Sequence, residues 1–296
     1  MEKKSEYKHA FLIMAHKSDY TFYTLIRMLD DERNDIFIHM DLKNADYRIE
    51  NTIACAKRSN VYHTKRTNVI WGGYSQINAE LLLLELATKK NEYQYYHLMS
   101  GEDLPIKSQT YIHDFFDRNN GKEFLRFQSD VFIHKERTSY FYFWEGGPRD
   151  GTLKLRNIMN RISVMFQKKI GVCRNRDIDF AKGTSWFSIT NELALYILKR
   201  RKWIKNVFLF TFCCDEIFIH TLIKKTKFEK KLFCTSFDND LRSIMRLIDW
   251  ERGNPYVFKE EDYNQIIESK MLFARKFDSQ VDSKIIAKIF EKFYEK

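Results

Sequence analysis

Residues 9–15 read HAFLIMA, a run of strand length with no polar side chain after its first residue. A strand that is apolar on both faces must be covered on both faces. That is the position of a strand inside a parallel sheet flanked by helices. The residues that follow keep to this plan. Ser18 is placed to cap a helix through TFYTLIRMLDDER, and DIFIHMD (35–41) is apolar again before it turns polar. A short strand, VYH (61–63), comes next. Ser75 then precedes the helical stretch QINAELLLLELATKK, and YQYYHLM (93–99) runs into SGEDLPIKS. The order β-α-β-β-α-β in the first hundred residues predicts an α/β fold, a Rossmann-like mixed sheet flanked by helices. Such sheets bind ligands beyond the carboxyl ends of their strands. The segments ending at His16, at Asp41 and at 100–103 all turn polar at that edge. Neither GxGxxG nor a phosphate-loop lysine motif is present, so dinucleotide and ATP sites lose their main support.

The second half is less regular. FLRFQSDVFIHKERTSYFYFWEGG (124–147) mixes aromatics with charges, and 171–184 has the composition of a loop. A strand at SWFSIT, a helix at NELALYILKRRK and a helix over CCDEIFIHTLIKK starting at Asp215 are expected beyond it. No shift in composition marks a boundary, so residues 1–296 are expected to form a single domain. No apolar run approaches the roughly 20 residues that cross a bilayer, and MEKKSEYKHA carries no apolar signal core. The five cysteines (55, 173, 213, 214 and 234) lack metal-ligand spacing, and the adjacent pair is poorly placed to bridge, which fits a reducing cytoplasm. Lys and Arg outnumber Asp and Glu by 50 to 40, a formal charge of +10 that favours anionic partners.

Several groups can carry chemistry. Asp215 and Glu216 cannot share a helix face. Capping is the simpler account of Asp215, and Glu216 is then free to act as a general base. His39 and Asp41 end one strand, and Glu102 and Asp103 follow another, where they can hold a ligand or tie loops. Two strings fit the DxD pattern, Asp177 with Asp179 and Asp238 with Asp240, but each offers only two carboxylates, so no metal site is assigned. In LFARKFD (272–278), Arg275 and Lys276 stand between two phenylalanines. One reading is a strand with a solvated face. The other is an anion site, where a planar guanidinium fork and a compact ammonium charge suit a diphosphate.

FLIMAHK (11–17), FIHMDLK (37–43), VIWGGYSQINAELLLL (69–84), YHLMSGEDLPIKS (96–108), FFDRNNGKEF (115–124), GTSWFSIT (183–190), CDEIFIHTL (214–222), RLIDW (246–250) and LFARKFD follow one another along nearly the whole chain. In this order they resemble the core-2/I-branching enzyme and peptide xylosyltransferase family, glycosyltransferase family 14, in its short bacterial form. The resemblance implies a GT-A-type glycosyltransferase fold, with 1–120 mainly binding the nucleotide sugar and 121–296 mainly serving acceptor and catalysis. It implies inverting transfer from a UDP-sugar (GlcNAc, xylose or another hexose) to a glycan hydroxyl, with no metal and no other cofactor. Glu216 falls on the catalytic base, Arg275 and Lys276 on the diphosphate site, and His39, Asp41 and Trp71 on the uridine side. Asp103 lines the donor site, and Trp250, Lys135 and Arg137 fall on acceptor positions.

Animal members carry a membrane anchor, lumenal disulfides and one more arginine ahead of FARKF. In this chain Arg252 and Lys259 are the nearest cations to that place. The implied setting is bacterial surface polysaccharide synthesis on a glycan acceptor, lipid-linked in one version, by a cytoplasmic protein. A catalytically inactive UDP-sugar-binding protein of the same fold is the alternative. The C-terminal segment DSKIIAKIFEKFYEK sets Ile285, Ile286, Ile289, Phe290 and Phe293 along one face. Packing on its own domain is the preferred reading of that helix, with peripheral contact with an anionic membrane as the alternative. No nucleic-acid motif is present, and no nucleic-acid partner is expected.

Overall fold

The computed structural model describes residues 8–145 and 154–294. Most of the MEKKSEYKHA stretch and the last two residues of the 124–147 stretch lie outside the described residues. The first half contains β1 (His9–Ala15), α1 (Tyr20–Met28), β2 (Asn34–Met40), α2 (Ile49–Cys55), β3 (Asn60–His63), α3 (Tyr74–Lys90), β4 (Tyr95–Ser100), β5 (Asp103–Pro105) and α4 (Gln109–Arg118). The second half adds α5 (Lys135–Ser139), α6 (Lys154–Lys169), β6 (Ser188–Thr190), α7 (Asn191–Lys199), α8 (Arg201–Phe208), α9 (Phe218–Ile223), β7 (Arg246–Ile248), α10 (Tyr263–Glu268), β8 (Phe273–Arg275) and α11 (Ser283–Phe293).

The main sheet has the order β3-β2-β1-β4-β6. Its first four strands are parallel and β6 runs antiparallel to β4. The fold is thus the mixed, mainly parallel α/β sheet expected from HAFLIMA. Side chains alternate across β1. Ala10 and Leu12 enter one core with α3, α7, α8 and α9, while Phe11, Ile13 and Ala15 enter the other with α1, α4, α10 and α11. Each fully buried Leu, Ile or Phe contributes roughly 1.5–3 kcal/mol, so both faces hold the strand in register.

A second sheet, β5-β8-β7, was not foreseen. It takes β5 from the first half and β7 and β8 from the second, so the two halves interleave. A buried link to the main sheet is Arg246, 1% exposed at the start of β7. The guanidinium donates to Ile244 O (2.8 Å), Leu98 O (2.9 Å) and Phe187 O (2.9 Å), and lies 5.3 Å from the Phe273 ring centre.

Local expectations were corrected in several places. Asp19, not Ser18, caps α1 by accepting from Phe22 N–H (3.1 Å), while Ser18 accepts from Asn44. A carboxylate is the stronger acceptor at a helix N-terminus. Helix α3 begins at Tyr74, so Ser75 sits inside its first turn, accepting from Ile70 N–H. The N-terminus of α3 is capped from a distance by the Glu145 carboxylate, which accepts from Tyr74 N–H (3.1 Å). NELALYILKRRK is two helices broken at Arg200. Helices α2, α4, α5, α6 and α10 lie outside the expected elements, and the strand expected at SWFSIT is only Ser188–Thr190. Ile285, Ile286 and Ile289 of α11 are fully buried, and α11 packs on α1.

The first-half core contains an unusual polar inclusion. His97 Nε2 donates to His9 Nδ1 (3.1 Å), His9 Nε2 donates to Gln94 (3.2 Å), and Ser188 Oγ donates to His97 Nδ1 (2.8 Å). His113 stacks on His9 with ring centres 4.0 Å apart and donates to Asn34 Oδ1 (2.9 Å). Neutral rings satisfy this set of bonds. Burial holds all three imidazoles below their ordinary range, His113 at about 3. Because the unfolded chain binds these protons more readily, stability falls as pH drops from 6.5 towards the folded pKa. Glu123, raised to about 7 by burial, works in the opposite direction, gaining relative stability as pH falls. Glu80 and Asp215, also raised by burial, act with Glu123, but the buried histidines, His220 included, outnumber these carboxyls, so the net sign is acid destabilisation. A group like His113 should lose about 2 kcal/mol by pH 5. Thermal unfolding midpoints measured from pH 8 to 5 should fall accordingly; a flat profile would contradict neutral buried imidazoles.

Candidate active site

The carboxyl ends of β1, β2 and β4 lie side by side, because the register pairs Met14 with Ser100 and Ala15 with Met40. Asp41 follows β2. Its N–H donates to Ala15 O (2.8 Å), and its buried carboxylate accepts from Lys43 N–H (2.9 Å), with Lys43 Nζ at 3.4 Å. His39 is 1% exposed. Its Nε2 meets Thr67 Oγ1 (2.8 Å) and accepts from Thr67 N–H (3.3 Å), which ties down the loop after β3. Trp71 stands further along that loop, edge-on to Phe212 at 6.4 Å, and Gly72 O accepts from Cys213 N–H (2.8 Å). Trp71 therefore stands beside the loop that carries Glu216.

The SGED and FARKF stretches meet directly: β5 and β8 are antiparallel, with Asp103 opposite Arg275. Arg275 is 9% exposed, so the solvated-face reading fails for it. Its Nη1 lies 3.2 Å from Asp103 Oδ1 and 3.3 Å from Ser100 Oγ, and its guanidinium stacks 4.2 Å from the Trp186 ring centre. The buried Asp103 carboxylate also accepts from Ser100 Oγ (2.6 Å) and Ser100 N–H (3.0 Å). Lys276 Nζ is 3.0 Å from Glu102 Oε2. Lys17 Nζ is 3.0 Å from Asp278 and 3.8 Å from Glu102 Oε1, which is buried and accepts no hydrogen bond among the described residues. Three cations (Lys17, Arg275, Lys276) thus face three carboxylates (Glu102, Asp103, Asp278). Arg and Lys sit between phenylalanines because acidic residues from another strand receive them.

The loop before α9 holds the other carboxylates. Asp215 does not cap a helix, since α9 begins three residues later. Its buried carboxylate accepts from Ser185 Oγ (2.7 Å) and, more weakly, from Gln76 Nε2 (3.4 Å). Burial and then the neighbouring Glu216 charge push its pKa up to about 6. Glu216 points elsewhere. Its Oε2 lies 3.2 Å from both Arg137 Nη1 and Lys182 Nζ, and its side chain remains 36% exposed, open to a ligand. The backbone beneath is fixed by Gly183 N–H donating to Glu216 O (2.8 Å). A Cβ at Gly183 would stand 1.8 Å from Arg126 O and 2.1 Å from His220 Nε2, so only glycine fits.

Residues 183–187 connect the two clusters. Gly183 holds Glu216, Ser185 holds Asp215, Trp186 underlies Arg275, and Phe187 O accepts from Arg246. Ser185, Trp186, Lys182, Lys17 and Gln76 received no role from the sequence. All but Lys182 lie within the stretches that carried the resemblance.

Of the residues expected on the acceptor side, Arg137 reaches Glu216, Lys135 is exposed at the start of α5, and Trp250 is 45% exposed two residues beyond β7. Ile248 of β7 lies opposite Arg275, so Trp250 emerges at the same edge. Arg252 is engaged by Asp249 (2.5 Å) and Asp262 (2.6 Å) and lies over Tyr256. Of the DxD strings, Asp179 pairs with Lys224 (2.6 Å) and Lys225 (2.7 Å), and Asp240 with Arg242 (2.5 Å).

The model of the Core-2/I-branching enzyme family matches residues 9–271. The chain belongs to that family. It is 26% identical over 294 residues to the xylosyltransferase oxt of Drosophila melanogaster, covering 91% of this chain and 30% of that protein. It is 27% identical over 273 residues to the xylosyltransferase sqv-6 of Caenorhabditis elegans, covering 83% and 31%. Against the human N-acetyllactosaminide beta-1,6-N-acetylglucosaminyl-transferase it is 23% identical over 297 residues, covering 94% and 70%. The chain spans about a third of the length of the xylosyltransferases it matches.

Gly183→Ala should destabilise the protein by about 3 kcal/mol, because the displaced atoms are a backbone carbonyl and a buried ring. Urea unfolding reads this, and an unchanged midpoint would contradict the packing. Asp215→Asn should behave differently. A folded pKa raised above 3.8 contributes stability at low pH that is lost as pH rises through about 6. The Asn variant should therefore gain up to about 3 kcal/mol relative to wild type between pH 4 and pH 8. An equal difference at both pH values would place Asp215 in a solvated environment.

Proposed function

We propose that this protein is an inverting, UDP-sugar-dependent glycosyltransferase that acts on a glycan hydroxyl and requires no metal. The observation that carries the proposal is the segment 183–187, which holds a half-exposed carboxylate at Glu216 and a buried guanidinium at Arg275 around one edge. The family and its named transferase relatives support it.

Glu216 takes the proton from the acceptor hydroxyl, whose oxygen attacks the anomeric carbon as the bond to the UDP oxygen breaks. Arg137 and Lys182 orient the carboxylate, and Arg137 with the exposed Trp250 and Lys135 offers an acceptor surface. Asp41 and Trp71 lie along the uridine side, with His39 holding the loop behind them. Arg275 and Lys276 stabilise the negative charge developing on the departing diphosphate. Asp103 keeps the Arg275 fork aligned until the donor arrives. In the unliganded arrangement Glu102 and Asp103 balance these cations, so the donor phosphates must draw Lys276 and Lys17 away from Glu102. A bacterial surface glycan is the proposed acceptor class.

The second reading, a UDP-sugar-binding protein without turnover, draws on the two cations that already occupy Glu216 Oε2. Turnover separates the two. UDP release across a panel of UDP-sugars, with and without EDTA, should show one preferred donor whose release persists in EDTA. Release abolished by EDTA would move charge neutralisation from Arg275 and Lys276 to a metal ion. Glu216→Gln should lower transfer by about 10²–10⁴-fold with donor binding retained, and undiminished transfer would remove Glu216 as the base. Replacing Arg275 and Lys276 with Ala should weaken UDP binding in a calorimetric titration, whereas equal affinity would place the diphosphate elsewhere.

A further inference from the structure

Helix α6 is turned inside out. On an ordinary surface helix the apolar stripe faces the core and the polar side faces water. On α6 the residues turned inward include Asn160 and Gln167, 5% exposed each, with Val164 at 8%. Both carboxamides bind the backbone of the strap 135–145. Trp144 N–H donates to Asn160 Oδ1 (3.3 Å) and Asn160 Nδ2 donates to Trp144 O (2.7 Å). Phe141 N–H donates to Gln167 Oε1 (2.8 Å) and Gln167 Nε2 donates to Phe141 O (2.9 Å). The outward side carries Leu155, Ile158, Ile162, Met165 and Phe166, followed by Ile170 just past the helix, all more than half exposed. At 100° per residue the five helical positions fall on one face. The polar bonds fix which way the helix is turned, so this face cannot roll inward without losing four hydrogen bonds.

The flanks of that stripe are basic. Arg156 is exposed on one side and Arg161 on the other, with Lys169 exposed at the end of the helix. Lys168 is exposed too, paired with Glu136. Residues 154–170 contain no Asp or Glu. An exposed apolar stripe of this extent marks an interaction surface. Two copies of the same face would bring like charges together, whereas an anionic bilayer offers phosphates at the rim and hydrocarbon below the stripe. We propose that α6 docks this protein on the surface of a membrane that contains anionic lipid, its apolar face entering the headgroup boundary and Arg156, Arg161 and Lys169 lying against lipid phosphates. The strap that α6 grips also carries Arg137, which contacts Glu216, so docking sets the acceptor side of the site near the bilayer. The C-terminal helix, whose apolar face is packed on its own core, takes no part.

Flotation of the full chain with phosphatidylcholine vesicles, with and without phosphatidylglycerol, tests this without any nucleotide sugar. Its result is therefore separate from that of the transferase assays. Wild-type protein should float with the anionic vesicles at low salt and not with the neutral ones. An Ile158→Asp, Ile162→Asp, Phe166→Asp variant should lose that binding. An Arg156→Glu, Arg161→Glu, Lys169→Glu variant should weaken it at least about tenfold, since each basic side chain at an anionic surface contributes roughly fivefold. All six side chains are exposed, so neither variant touches the core. The proposal is overturned if wild type fails to float, if it binds neutral vesicles equally, or if the aspartate variant binds as well as wild type. Concentration-dependent dimerisation lost in the aspartate variant, with no vesicle binding, would overturn it too and assign the face to a second copy.

Discussion

A buried cation, Arg246, ties the second sheet to the main one. Arg246 is nearly inaccessible to solvent, yet among the described residues no carboxylate forms an ion pair with it. Its Nη1 donates to Ile244 O and its Nη2 to Leu98 O and Phe187 O, while the buried Nε has no partner among the described residues. Burial pulls its pKa down to about 10, and the nearby Asp103 charge offsets part of this. A lone buried charge is costly unless hydrogen-bonded, and a planar fork aimed at three carbonyls is an arrangement an ammonium could not reproduce. The bonds fix β7 against the end of β4 and the approach to β6. The strand paired with β7 is β8, so the placement of Arg275 depends on them, and so does the stacking of Arg275 on Trp186, the residue before Phe187.

From this joint the site follows as a question of charge balance. The edge beyond β1, β4 and β8 gathers Lys17, Arg275 and Lys276 with Glu102, Asp103 and Asp278. Such a cluster is organised without being strongly charged, which avoids self-repulsion in the unliganded protein. A polyanionic ligand would then be held by cations already positioned, at the cost of loosening their carboxylate partners. Glu102 is the weakest member, with one buried oxygen that accepts no hydrogen bond among the described residues. Asp103, with three contacts, is the most firmly held.

The same economy of polar groups explains the peripheral elements. The neutral histidines of the first-half core, the Asp215 carboxyl and the two carboxamides of α6 are all polar side chains turned inward. In each case a specific donor or acceptor is waiting. For α6 the consequence is an outward apolar face. For Asp215 it is a loop gripped from both α3 and the 183–187 segment, leaving the next residue, Glu216, at the surface.

The sequence by itself determined the main sheet. The unbroken apolar runs of HAFLIMA and DIFIHM bury on both faces wherever helices cover them, and the polar turns after His16, Asp41 and Ser100 mark the ligand edge. The ordered stretches from FLIMAHK to LFARKFD gave, through the resemblance they carry, the expectation that Glu216, Arg275 and Trp250 serve one site. Short strands were not legible, because three residues such as RLI or FAR carry too little periodicity to distinguish a strand from a loop. Only the tertiary structure decided that Asp103 lies opposite Arg275, that Ser185 rather than a helix end receives Asp215, and that α6 turns its carboxamides inward. Those outcomes rest on hydrogen bonds between residues from about 16 to about 170 positions apart. Their partners come together only once the hydrophobic cores have fixed the strands, so local patterns of charge and hydropathy hold no record of them.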